Sequence, residues 1–163
     1  MSGFEDISCA IDFSDHSRAA FDRAVELASR LYATLTLLHV SPPAFPGGEV
    51  LFVHGEPGDR LAEGPLSARL DAWRMEAERA LGRPVRTVLL AGNPAREIAR
   101  YSRRGTDLIV VGTRGPTGLG RLLLGSVAER VVRDAACPVL VVHRSDLSAE
   151  GPRPSAPRPS SSP

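Results

Sequence analysis

Five short apolar runs punctuate the chain: ISCAI at 7–11, LTLLHV at 35–40, VRTVLL at 85–90, LIVV at 108–111 and VLVV at 139–142. Most are nearly continuous in Val, Ile and Leu rather than alternating with polar residues. Strands covered on both faces of a parallel sheet read this way.

The segments between the runs carry helical periodicity. Ala20, Ala24, Leu27, Ala28 and Leu31 fall at i, i+4, i+7, i+8 and i+11, one apolar stripe that Ser14 or Asp15 can cap. A second helical pattern surrounds Leu66 to Leu81. Asn93 followed by Pro94 reads as an N-cap with proline at the first helical position, and Ala95, Ile98 and Ala99 share the buried face. After Gly125, a stripe of Val127, Ala128, Val131, Val132 and Ala135 predicts the last helix, and Ser126 with Glu129 has capping-box spacing. Strand and helix in alternation imply right-handed crossovers and a doubly wound α/β fold, a parallel sheet of five strands with helices on both faces.

Two stretches break the rhythm. Residues 41–65 contain five prolines and five glycines and read as a long loop. The last 17 residues, LSAEGPRPSAPRPSSSP, offer almost nothing apolar to offset the entropy of ordering. One domain is therefore expected over residues 1–146, with a disordered tail at 147–163.

Charge and cysteine content narrow the function. The formal net charge is +1, with acids and arginines interspersed, so nothing asks for nucleic acid or an anionic membrane. All twenty basic residues are arginine. Cys9 and Cys137 lie far apart in or beside apolar runs, which argues against a disulfide framework. The N-terminus MSGFEDISCA has the wrong charge for a signal peptide, and no apolar run reaches membrane-spanning length, so a cytoplasmic location is expected.

Candidate chemistry gathers at two strand ends. Asp12 follows the first apolar run, and five glycines lie within the fourteen residues from Gly112 to Gly125, after the fourth. Ligands of open α/β sheets bind outside the carboxyl ends of the strands, where the helices diverge. Glycines permit positive φ and close approach of backbone N–H groups to an anion. Gly125 and Ser126 then stand at a helix N-terminus, where the dipole favours negative charge. Backbone amides, the Ser126 hydroxyl and Arg114 or Arg121 can together hold a triphosphate without lysine, and Asp12 suits ribose hydroxyls. The same residues have plainer readings: a glycine-rich turn, a capping box, and an aspartate that caps the following helix.

Several enzyme classes drop out. A Walker A loop needs lysine, and a dinucleotide fingerprint should follow the first strand, where IDFSDHS has no glycine. A receiver domain also needs a lysine and a second acidic residue that has no candidate here. Neither cysteine has the surroundings of a nucleophile, and no pair among the four histidines has metal-ligand spacing.

Gly112-Thr-Arg-Gly115, nine residues, then Gly125-Ser126 resembles the G-x2-G-x9-G-[ST] pattern of the ATP-binding branch of the universal stress protein family. AIDFSDHSRAA, LLHV and CPVLVVHR resemble that family in order and spacing, over residues 5 to 144. The resemblance implies strand order 3-2-1-4-5 and adenine-nucleotide binding. In it Asp12 takes the ribose, the Val40 backbone reads the adenine edge and Gly112 lets the ribose approach. Gly115, Gly125, Ser126 and Val127 line the phosphates. It also implies a homodimer through the last strand, Val139 to Val142, in keeping with the aggregation risk of an exposed apolar edge. No dedicated carboxylate pair for Mg²⁺ is visible.

Between Gly112 and Ala128 there is no Asp, Glu or His, so the phosphate end lacks an evident general base. The favoured expectation is an ATP-binding stress-response protein with at most slow turnover. Two alternatives stay open: a weak ATPase or a protein that phosphorylates itself on Ser126 or Thr117, and a non-catalytic dimeric adaptor with a vestigial loop.

Overall fold

The structure is a computed structural model that describes residues 3–41, 50–54, 65–113 and 124–143. In chain order it runs β1 (Asp6–Ala10), α1 (Asp15–Leu31), β2 (Thr34–Ser41), β3 (Val50–His54), α2 (Pro65–Leu81), β4 (Arg86–Ala91), α3 (Pro94–Tyr101), β5 (Leu108–Gly112), α4 (Ser126–Asp134) and β6 (Val139–Val142).

These elements build one sheet in the order β3-β4-β2-β1-β5-β6. All neighbours pair in parallel except β3, which lies antiparallel on β4. The five parallel strands, counted alone, have the order 3-2-1-4-5. The sixth strand corrects the reading of 41–65 as loop. VLFVH is itself a short run of strand-favouring residues, but the prolines and glycines around it dominate the composition of the segment. Residues 42–49 and 55–64 of that segment and the whole 147–163 tail lie outside the described residues.

Strand pleating sorts the core into two layers. Ile7, Cys9, Leu35, Leu37 and Val110 face α1 and α2, burying Ala20, Phe21, Ala24 and Ala28 of α1. Leu38, Val40, Ile109 and Val111 face the other way, against Ala95 and Ile98 of α3 and Ala128 and Val131 of α4. On the α1 face the buried helix residues are mostly alanine, which lets that helix sit close to the sheet.

Helix signals in the sequence hold in part. Ser14 is the N-cap of α1 and accepts from the Ser17 N–H, and Asn93 caps α3 by accepting from the Arg96 N–H. Such caps each contribute about 1 kcal/mol. At the other end of α1, the Arg83 guanidinium donates to the carbonyls of Ala28 and Ala33, placing a cation on the negative end of the helix. Three residues assigned to buried stripes are instead exposed: Leu31 at 46%, Val127 at 38% and Val132 at 48%. Leu31 belongs to the final turn of α1, and α4 buries only the narrower Ala128–Val131 seam, so each stripe was read too wide.

Candidate functional site

Helix α1 leaves β1 toward one face of the sheet and α4 leaves β5 toward the other, and β1 and β5 are neighbours. Their carboxyl ends form the topological switch point, where the diverging helices open a crevice. A cleft lies there with a cavity volume of about 210 Å³. That is more than ten times the roughly 15 Å³ a single water needs, so the cleft is a site rather than a packing defect.

Its floor is apolar: Ala10, Leu38, Val40 and Val111 from three strands, with Ile98 of α3. One wall is the turn Ile11–Ser14 and the start of α1, and the other is Gly125, Val127 and Ala128 at the start of α4. An apolar slot flanked by a few polar groups is the usual form of a small-molecule site.

The β1–α1 turn carries the carboxylate. β1 ends at Ala10, and although the Ile11 N–H still donates to the Leu38 carbonyl, Asp12 lies two residues beyond the strand. Asp12 Oδ1 accepts from the Ser14 N–H at 2.9 Å and also from the Ser14 hydroxyl. The aspartate thus braces the residue that caps α1, which realises part of its plainer reading. Its side chain nevertheless stays exposed at the cleft.

Gly112 has a reason to be glycine that the sequence does not reveal. A Cβ there would stand 2.6 Å from the His16 carbonyl carbon and overlap the carbonyl oxygen. The end of β5 is therefore pressed against the first turn of α1, closing the bottom of the cleft.

Helix α4 begins differently from α1 and α3. Gly125 is its N-cap, with extended backbone at φ −62 and ψ 151 and no side chain to bond the first-turn amides. Ser126 is the first helical residue and is exposed, so the Ser126–Glu129 capping box does not form. The physical reason is position: a capping serine must precede the helix, and this one lies inside it.

Of the residues expected at the site, Asp12, Val40, Gly112, Gly125 and Val127 all line the cleft. Ser126 stands at its rim within α4 and does not line it. Arg114 and Gly115, with Thr117 and Arg121, lie outside the described residues.

The cleft also gathers residues to which the sequence assigned no part in the site: Ser14 of the β1–α1 turn, His16 and Ser17 of α1, and Pro94 and Ile98 of α3. His16 Nδ1 is buried and has no hydrogen-bond partner among the described residues. Helical spacing after Asp12 was the available signal, since Ser14 and Ser17 are one turn apart. A contact across strands was not legible at all: His143 Nδ1 lies 3.4 Å from Thr113 Oγ1, bringing a histidine beside the start of the glycine loop.

Behind the turn, on the opposite face of the sheet, His39 is 9% exposed and its Nδ1 lies 2.8 Å from the Ile11 carbonyl oxygen. A carbonyl only accepts, so His39 Nδ1 carries the proton. Burial, opposed by that hydrogen bond, holds the His39 pKa below its ordinary value. Burial pushes the Cys9 thiol well above its ordinary range and raises Cys137 as well, so neither is poised as a nucleophile.

Comparison with known proteins agrees with this architecture. The sequence model of the universal stress protein family matches residues 3–143. A Bacillus subtilis universal stress protein is 35% identical, covering 85% of this chain and 99% of its own length. One from Methanocaldococcus jannaschii is 37% identical, covering 86% and 83%. Among solved structures, a universal stress protein in complex with cAMP superposes with a TM-score of 0.66 at 27% identity, over 88% of this chain and all of that one. The Lactobacillus plantarum protein UspA superposes with a TM-score of 0.62 at 25% identity, over 87% and 99%. The chain belongs to the universal stress protein family.

Proposed function

We propose that the cleft binds an adenine nucleotide, with ATP the favoured ligand, and that occupancy rather than rapid turnover is its purpose. The observation that carries this reading is the pairing of two unlike walls across an apolar floor. One offers the Asp12 carboxylate, an acceptor suited to sugar hydroxyls, and the other an uncapped helix N-terminus suited to an anion. A nucleotide has a flat apolar ring, a polyol and a negative tail in that order.

In this arrangement the base lies over Leu38, Val40 and Ile98, and the Val40 backbone reads its edge. Asp12 takes the ribose. The first-turn amides of α4, with Gly125, Ser126 and Val127, hold phosphate, and Arg114 and Gly115 extend that cradle. A triphosphate needs several charge-assisted hydrogen bonds, each contributing roughly 1.5–3 kcal/mol, and backbone amides supply them without lysine. The structural relative bound to cAMP supports an adenine nucleotide as the ligand class.

The chain then acts as a cytoplasmic regulatory protein of the stress response, with Mg²⁺ following the phosphates. No helix among the described residues is long and apolar enough to cross a membrane. A homodimer through β6 fits its place at the sheet edge, where Val139, Leu140 and Val141 are only half-buried. A weak ATPase is the second reading, favoured by His143 beside Thr113 at the loop's start.

Calorimetric titration of ATP, with and without Mg²⁺, into protein stripped of nucleotide tests the proposal. Micromolar affinity is expected, falling at least tenfold in Asp12→Ala, with negligible phosphate release. No heat at millimolar ATP would refute the nucleotide reading; steady phosphate release lost in His143→Ala would favour the enzyme instead.

A further inference from the structure

The Asp12 carboxylate is exposed on one side of the sheet, but its backbone is held from the other. Four contacts converge on the turn. The Ile11 carbonyl accepts the His39 Nδ1–H at 2.8 Å. The Phe13 ring lies 4.8 Å from the His39 ring and meets Trp73 edge-on at 5.7 Å, while the Arg69 guanidinium caps it at 4.3 Å. Phe13 itself has φ +62, a left-handed conformation that non-glycine residues rarely adopt. Such a conformation persists where the surroundings over-determine it.

Asp12 sits between these two fastenings. The peptide plane that contains the Ile11 carbonyl also contains the Asp12 nitrogen and Cα, so fixing that oxygen fixes one side of Asp12. The packed Phe13 ring fixes the other. From this we infer that His39 is a positioning residue for the nucleotide: through Ile11 and Phe13 it aims the Asp12 carboxylate into the cleft, although it lies on the face of the sheet away from that cleft. This inference rests on the nucleotide reading of the cleft.

His39 serves here through both ends of its chemistry. The ring nitrogen supplies a directed donor, and the flat ring supplies a surface for Phe13. Leucine keeps much of the volume and removes the donor, whereas asparagine keeps an N–H close to the Nδ1 position. The two variants therefore separate the hydrogen bond from general packing.

ATP titration by calorimetry into wild type, His39→Leu, His39→Asn, Asp12→Ala and the Asp12→Ala/His39→Leu double variant tests it. His39→Leu is expected to weaken ATP at least tenfold and His39→Asn threefold or less. In the double variant the His39 change should add almost nothing to Asp12→Ala, because its effect passes through that carboxylate. A general loss of stability would instead add in full. Phe13→Gly guards against a misfolded His39→Leu: glycine accepts φ +62 freely, so the turn keeps its backbone and loses only the clamp, and a loss of at least threefold is expected. If wild type binds ATP and Asp12→Ala does not, while His39→Leu and Phe13→Gly bind like wild type, the inference fails and the nucleotide site stands. If wild type binds no ATP, both fail together.

Discussion

Helices α3 and α4 both start at the cleft, one presenting Pro94 and the other Gly125, yet the two starts are finished differently. Their capping residues have similar extended backbones, φ −78 and ψ 120 at Asn93 against φ −62 and ψ 151 at Gly125. Only the side chain differs. Asn93 Oδ1 takes the Arg96 N–H at 3.1 Å, and Pro94 has no N–H to satisfy. Gly125 contributes nothing beyond its carbonyl, which accepts from Glu129. The α3 end is closed by its own sequence, whereas the first amides of α4 must find partners outside the helix. Where a protein leaves one helix end unfinished beside a carefully finished one, the unfinished end is the better candidate for a ligand.

The largest expected effect comes from moving the bottom of the cleft that both helix starts border. Gly112→Ala puts a methyl group against the His16 carbonyl, which belongs to backbone and cannot swing aside. The end of β5 and the start of α1 must separate. Urea unfolding should show a loss of about 3 kcal/mol, and ATP affinity should fall with it. An alanine variant as stable as wild type would mean the close approach is not required.

Finishing α4 artificially comes next. Gly125→Asp adds the cap that α3 already has, on a backbone that any residue can adopt. Stability should rise by about 0.5 kcal/mol from capping and the helix dipole. ATP affinity should fall at least about tenfold, or 1.4 kcal/mol, because the new carboxylate occupies the amides and repels phosphate. Opposite signs on stability and binding are the signature to look for. If both rise, the α4 end is not the phosphate site.

How much of this was legible beforehand depended on whether the signal was local. The parallel strands announced themselves because each is a nearly continuous apolar run, buried on both faces in the centre of the sheet, and the Asn93–Pro94 start announced itself because cap and proline are adjacent in sequence. Asp12, Val40, Gly112, Gly125 and Val127 could be placed around one cleft because each stands near the end of a recognisable element. Signals failed where the deciding partner is distant. Nothing in the neighbourhood of Gly112 names the His16 carbonyl, and nothing near His39 names Ile11 or Phe13. The Ser126–Glu129 capping box failed for a subtler reason: its spacing is set by two residues, but whether the first one caps depends on where the helix begins. VLFVH was hidden by its proline- and glycine-rich surroundings, since composition averages over a window wider than a five-residue strand.

The smallest effect, and the one that completes the contrast, belongs to Asn93→Ala. Removing the Oδ1 acceptor leaves the Arg96 N–H to water, which is available because that hydrogen bond is exposed. The cost should be about 1 kcal/mol in urea unfolding. Helix α3 should nonetheless hold its place, because Ala95, Ile98 and Ala99 stay buried and Pro94 still fixes the first turn. Ile98 therefore keeps its position in the cleft, and ATP affinity should change less than twofold. Gly125→Asp and Asn93→Ala then form a crossed pair, one altering binding with a small gain in stability and the other lowering stability with binding intact. A fall in affinity in Asn93→Ala comparable to that in Gly125→Asp would mean that the two helix ends act on the ligand together, and that the closed end is not finished independently of the open one.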